Sequence, residues 1–126
     1  MKIATVQTVA GTGANRIGAA FLGRFFSEID GFRPVAYIGN PTWMNYKPLF
    51  ENAGFDVRTY PYLTSGAGMP NLEVARNAML EAPHKSVFVF QACCHNPTGV
   101  DYDQRQWEQL AQTMQDRGHF AFFDAA

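Results

Sequence analysis

Ser86-Val87-Phe88-Val89-Phe90-Gln91-Ala92-Cys93-Cys94-His95-Asn96-Pro97-Thr98-Gly99 is the stretch that decides the fold. Val87-Phe88-Val89-Phe90 is a continuous apolar run, too short for a helix and lacking the polar alternation of a strand with one wet face. It reads as a strand buried on both sides, which a parallel sheet provides. Asn96-Pro97-Thr98-Gly99 then forces a turn. Asp103 is a helix N-cap, and Trp107, Leu110, Ala111 and Met114 mark a helix that stops near Gly118. Residues 120–124, Phe-Ala-Phe-Phe-Asp, form the next strand.

The same unit recurs upstream. Residues 3–9 alternate and are β-prone, which predicts a strand. Gly11-Thr12-Gly13 breaks it, and Ala14, Ile17, Gly18, Phe21 and Phe25 share one helical face. Gly31-Phe32-Arg33-Pro34 punctuates the chain before a short strand over residues 35–38. Gly39-Asn40-Pro41 turns it into an aromatic segment with a helix around Leu49, Phe50 and Ala53, ending at Gly54. Residues 57–62 are extended with Pro61 near their end, residues 65–68 are a loop, and Leu72, Ala75 and Met79 repeat at helical spacing. The sequence has no internal repeat, linker or low-complexity segment. Strands alternating with helices predict an α/β fold, a mostly parallel sheet flanked by helices, with ligands at the strand C-terminal ends.

Composition narrows the function classes. The 126 residues are 47% hydrophobic and 17% charged, as expected of one globular unit. Ten Lys plus Arg against eleven Asp plus Glu leave no basic excess for phosphates, which argues against nucleic-acid or anionic-membrane partners. The N-terminus does not read as a targeting segment, and no apolar run is long enough to cross a bilayer. Cys93 and Cys94 are adjacent and suggest no disulfide framework, so a reducing compartment is expected.

Three turns and one strand end hold the candidate chemistry. Gly11-Thr12-Gly13 before a helix either cradles an anion on backbone N–H groups and the Thr12 hydroxyl, or is a plain βα turn with glycines for tight packing. Trp43, directly after a strand-ending turn, either stacks on a flat ligand or is a core aromatic. Cys93, Cys94 and His95 are a poor metal set, because successive strand residues point to opposite faces and no second ligand pair follows. Buried structural cysteines are expected instead. The Asn96 amide either shapes its turn or is held toward a ligand. Asp124, closing an apolar strand, is either solvated or opposed by a buried cation.

Taken in order, Gly11-Thr12-Gly13-Ala14, Pro41-Thr42-Trp43, His95-Asn96-Pro97-Thr98-Gly99-Val100-Asp101, Gln106-Trp107 and Phe122-Phe123-Asp124-Ala125-Ala126 closely resemble aspartate aminotransferase. That is the class I family of fold-type I enzymes using pyridoxal 5'-phosphate. The resemblance covers essentially all 126 residues and implies a single partial domain, 1–126, from the centre of the cofactor-binding large domain. It implies Gly11 and Thr12 on the cofactor phosphate, Trp43 stacked on the pyridine ring, and Asn96 donating to the phenolic oxygen. Asp124 would pair with the protonated ring nitrogen, and Trp43 and Asn96 would also meet the substrate. Cis peptides before Pro41 and Pro97 are implied as well.

The implied activity is amino-group transfer between L-aspartate and 2-oxoglutarate, in a cytoplasmic or mitochondrial homodimer. An aromatic-amino-acid aminotransferase, a non-catalytic truncated copy and a nucleotide-binding module are the alternatives. The last is disfavoured by the displaced third glycine after Gly13. This chain has Tyr46 and Gln91 where the family commonly has His. No catalytic residue is assigned within it, because the family's Schiff-base lysine and carboxylate-binding arginines lie downstream of Ala126. The isolated chain is therefore expected to be inactive, and its sheet to expose apolar edges that favour self-association.

Overall fold

A computed structural model of the chain describes residues 3–27 and 33–126. The elements are α1 (Ala10–Phe25), β1 (Val35–Asn40), α2 (Tyr46–Glu51), β2 (Asp56–Pro61), α3 (Leu72–Glu81), β3 (Val87–Gln91), α4 (Gln104–Arg117) and β4 (Phe120–Asp124). The four strands form one sheet in the order β2-β1-β3-β4, every neighbouring pair parallel. The expected α/β architecture, a parallel sheet flanked by helices, is what forms. The expected turn at Gly31-Phe32 lies outside the described residues.

Side-chain alternation along β1 and β3 divides the core in two. Val35, Tyr37, Phe88 and Phe90 pack with Ala75 and Met79 of α3 and Leu110 and Met114 of α4. Ala36, Ile38, Val87 and Val89 face the other way, onto Ala19 of α1, Tyr46 and Phe50 of α2, and Phe26 and Phe55. Val87, Phe88, Val89 and Phe90 are all buried, as a central parallel strand requires. Full burial of a side chain like Phe88 contributes roughly 1.5–3 kcal/mol.

Local signals explain why α4 starts and stops where it does. Asp103 accepts from the Gln106 N–H at 2.8 Å while the Gln106 side chain accepts from the Asp103 N–H at 2.9 Å, a reciprocal capping box. At the other end Gly118 adopts φ 64°, the left-handed turn that glycine permits, and a Cβ there would sit 2.5 Å from the His84 ring. Asn71 caps α3 by accepting from the Val74 N–H at 3.2 Å.

Three expectations are corrected. The strand expected over residues 3–9 does not form, and Val6 is 69% exposed. Alternation specifies which way side chains face but supplies no ladder of partners, and among the described residues nothing pairs with this segment. The glycines after it are helical, with the Gly13 N–H donating to the Val9 carbonyl at 3.1 Å. The positive φ that turns the chain into α1 belongs to Ala10, at 54°.

The face of α1 is reversed too. Asn15, Ala19 and Gly23 are the buried positions, whereas Ile17, Phe21 (67% exposed) and Phe25 point outward. A small-residue stripe faces inward because the backbone comes close: a Cβ on Gly23 would lie 2.1 Å from the Ala53 carbonyl oxygen. Lastly, Cys93 and Cys94 are exposed rather than buried. β3 ends at Gln91, so both lie in the loop beyond it, and Cys94 takes φ 53°.

Candidate functional site

β1 leads through α2 to β2 on one side of the sheet, and β3 leads through α4 to β4 on the other. β1 and β3 are therefore neighbours whose connections diverge, which opens a crevice at their C-terminal ends. Chain segments leave these ends at two X-Pro peptides, Asn40-Pro41 and Asn96-Pro97, both cis. A cavity of about 310 Å³ lies there, lined by Gly11, Thr12, Trp43, Asn96 and Asp124. The fold thus brings all five sequence-predicted site residues to one place. Asn15, Tyr46, Gln91, Cys93, Cys94 and Ala126 complete the lining.

Each wall is held by a separate element. Gly11 and Thr12 lie in the first turn of α1, an end that no side chain caps among the described residues, so its N–H groups and positive dipole end are left to receive an anion. A Cβ on Gly11 would be 3.8 Å from the Ala126 Cβ. Trp43 packs edge-on against Tyr46, with ring centroids 5.2 Å apart at 84°. Gln91 bridges the two cis-proline turns. Its Nε2 donates to the Asn96 carbonyl at 3.0 Å and to Thr42 Oγ1 at 3.5 Å, and its Oε1 accepts from the Asn96 N–H at 2.7 Å.

Asp124 ends β4 and is only partly buried. Among the described residues its partners are neutral donors: Asn15 Nδ2 at 2.9 Å and the Tyr46 hydroxyl at 2.6 Å on Oδ2, and the Ala126 N–H at 3.2 Å on Oδ1. Burial, followed by the hydrogen bond to Asp124 and that residue's charge, pushes the Tyr46 phenol far above its ordinary value, so Tyr46 remains a neutral donor.

The loop after β3 is braced from beneath. Asp101 accepts from the Cys94 and His95 N–H groups at 2.7 and 2.9 Å. His95 Nδ1 lies 2.8 Å from Thr98 Oγ1, and its ring stacks on Tyr62 at 3.7 Å and 7°. Burial lowers the imidazole below its ordinary value, partly opposed by Asp101, so this histidine is a neutral structural group. The Cys94 thiol beside Cys93 raises the Cys93 thiol above its ordinary value.

Asn15 is a lining residue that sequence reading missed. The visible signal was the spacing Asn15, Ala19, Gly23, an i, i+4 stripe of small residues overshadowed by the larger apolar stripe beside it. Chemically, the cavity offers N–H groups at one helix end, a flat aromatic wall, the side-chain amide of Asn96 on a turn whose backbone Gln91 holds, and an anchored carboxylate. Those features suit a planar, phosphorylated group with a cationic ring atom.

Residues 1–126 match the family model for aminotransferase class I and II. The chain belongs to that family. An aminotransferase named tasG from Hapsidospora irregularis is 43% identical over 99% of this chain and 38% of its own length. A mitochondrial aspartate aminotransferase from Dictyostelium discoideum is 41% identical over 99% of the chain and 28% of its own. Among solved structures, an aromatic-amino-acid aminotransferase from Burkholderia pseudomallei, covalently bound to pyridoxal phosphate, superposes with a TM-score of 0.83 at 34% identity. That match covers 92% of this chain and 28% of the other. The chain thus spans well under half the length of these relatives.

Proposed function

We propose that these 126 residues belong to the cofactor-binding large domain of a pyridoxal-phosphate-dependent aminotransferase. In this reading it exchanges the amino group between L-aspartate and 2-oxoglutarate, giving oxaloacetate and L-glutamate. The observation that carries this is the convergence of Gly11, Thr12, Trp43, Asn96 and Asp124 on one cavity at the switch between β1 and β3. When bound, pyridoxal phosphate supplies an electron sink for the pair left behind when an amino acid loses its α-proton.

The chain's own residues prepare that chemistry. Gly11 and Thr12 would hold the phosphate at the α1 N-terminus, and Trp43 would stack on the ring and border the substrate. The Asn96 amide would donate to the phenolic oxygen. Asp124 would accept from the ring N–H and keep that nitrogen cationic. No lysine lines the cavity among the described residues. Lys47 sits on α2, 3.9 Å from Glu51, and Lys85 precedes β3 at the opposite end of the sheet. Among the described residues, then, no amine stands where the cofactor could be attached, and the isolated chain is expected to give no useful turnover.

The complete protein is a homodimer in this reading, and free, exposed Cys93 and Cys94 suit a reducing compartment such as the cytoplasm. Among the described residues no helix is long and apolar enough to cross a membrane. Aromatic amino acids are the second donor class, supported by the similarity to the Burkholderia pseudomallei enzyme.

Titration of the purified chain with pyridoxal phosphate, followed by Trp43 fluorescence, is expected to give saturable quenching that Asp124→Ala abolishes. Binding of NAD in its place overturns the reading. In the same sample, L-aspartate and 2-oxoglutarate are expected to show no exchange. Turnover at the rate of a complete aminotransferase would refute the proposed inactivity of the isolated chain.

A further inference from the structure

The cavity contains a device beyond the five residues already assigned. Asn15 on α1 and Tyr46 on α2 both donate to the same atom, Oδ2 of Asp124, at 2.9 and 2.6 Å. Both donors are buried, Asn15 4% exposed and Tyr46 1%. An ionised carboxylate oxygen offers two lone-pair sites, so these two bonds fill Oδ2. Among the described residues Oδ1 takes only the Ala126 N–H, at 3.2 Å, which leaves its second site for a ligand.

We propose that Asn15 and Tyr46 are positioning residues that lock the Asp124 carboxylate in one rotamer, with Oδ2 committed to the protein and Oδ1 presented to the cofactor's ring nitrogen. The inference rests on the pyridoxal-phosphate reading above. Turning the carboxyl away would strand two buried donors, a penalty larger than the return from any single replacement bond. The clamp also fixes distances. Asn15 stands one turn along the helix whose first residues include Gly11 and Thr12, so one rigid element carries the phosphate seat and a grip on the carboxylate. Tyr46 donates its N–H to the Trp43 carbonyl at 3.2 Å and packs edge-on against the indole, which ties the stacking wall to the same atom. Because both donors are neutral, the carboxylate's charge is left for a cationic ring.

The test uses the purified 126-residue chain and two probes that need no lysine: pyridoxamine 5'-phosphate and its analogue carrying CH in place of the ring nitrogen. Calorimetric titration is expected to show the wild type preferring the nitrogen compound by about tenfold or more, the usual scale for a hydrogen bond to a charged group. Asn15→Leu with Tyr46→Phe is expected to bring that preference close to unity while leaving affinity for the analogue within about twofold. A misfolded variant loses both probes together. In that event Tyr46→Phe alone, which removes a single oxygen, carries the test, with a fall of about threefold or more in the preference expected. A preference that survives these changes overturns the clamp. A wild type that binds pyridoxamine phosphate no better than the analogue also overturns it while leaving the cavity assignment in place. A wild type that binds neither probe overturns the cofactor reading itself.

Discussion

The two faces of the sheet are built to different rules. Under α3 and α4, large rings interlock: Tyr37 stacks on Phe88 at 4.8 Å and 8°, and Trp107 meets Phe90 edge-on at 5.4 Å. Under α1 and α2, the helix next to the cavity comes in on Asn15, Ala19 and Gly23, and two of the buried polar groups there, from Asn15 and Tyr46, are aimed at one carboxylate. The first face is shaped by volume, because its task is to exclude water. The second combines its rings with close backbone approach and directed donors, and so places Asp124, Thr12 and Trp43 around one cavity.

Four substitutions or conditions can break that comparison. Phe88→Ala is the largest and should cost about 3–5 kcal/mol in a denaturant titration, the usual range for emptying a filled aromatic site. A loss below about 1 kcal/mol would mean that the ring-packed face is not the main source of stability. Gly23→Ala comes next. In an ordinary helix interior this exchange stabilises by about 1 kcal/mol. Here the Ala53 carbonyl stands 2.1 Å from the added carbon, so destabilisation by about 1–3 kcal/mol is expected. A more stable variant would show that the close approach of α1 is not required.

Smaller again is the effect of acid on His119, which lies against Phe88 on the ring-packed face. Its Nε2 is 2.8 Å from the Met79 carbonyl, and among the described residues its buried Nδ1 has no partner. Burial is the main cause that holds the imidazole below its ordinary value of 6.5, so the unfolded chain binds the proton more readily. Stability attributable to this residue is complete above 6.5 and declines as pH falls through the lowered value. Thermal melts at about pH 7.5 and about pH 5.5 should show a larger acid loss for the wild type than for His119→Gln, and equal losses would remove the effect. Phe21→Ser should change stability by less than about 0.5 kcal/mol, since the ring points away from the sheet. A core-sized loss would put the α1 face back where the apolar spacing first suggested.

What could be read from the sequence follows the same division. β3, the α4 cap at Asp103 and the stop at Gly118 were legible because each is decided by neighbouring residues and their backbone preferences. Trp43, Asn96 and Asp124 were legible as a group because the topology sends all strand C-termini to one edge. The α1 orientation was not, because Ile17, Phe21 and Phe25 give a stronger periodic signal than Ala19 and Gly23, and only the position of Ala53 shows which stripe fits. Residues 3–8 misled for a related reason. Their alternation is that of a strand, yet pairing depends on a neighbour that local sequence does not specify. The exposure of Cys93 and Cys94 depended on where β3 ends, a matter of a few residues.

The register between β3 and β4 places Gln91 beside Asp124, and the Asp124 carbonyl accepts from the Ala92 N–H at 2.8 Å. Side chains alternate along a strand, so a slip of one residue would swing the Asp124 carboxylate to the α3–α4 face, away from Asn15 and Tyr46. The cavity therefore answers to strand alignment as a switch and not as a dial: a molecule whose last strand has paired one step out offers it no carboxylate, while one correctly aligned offers it fully.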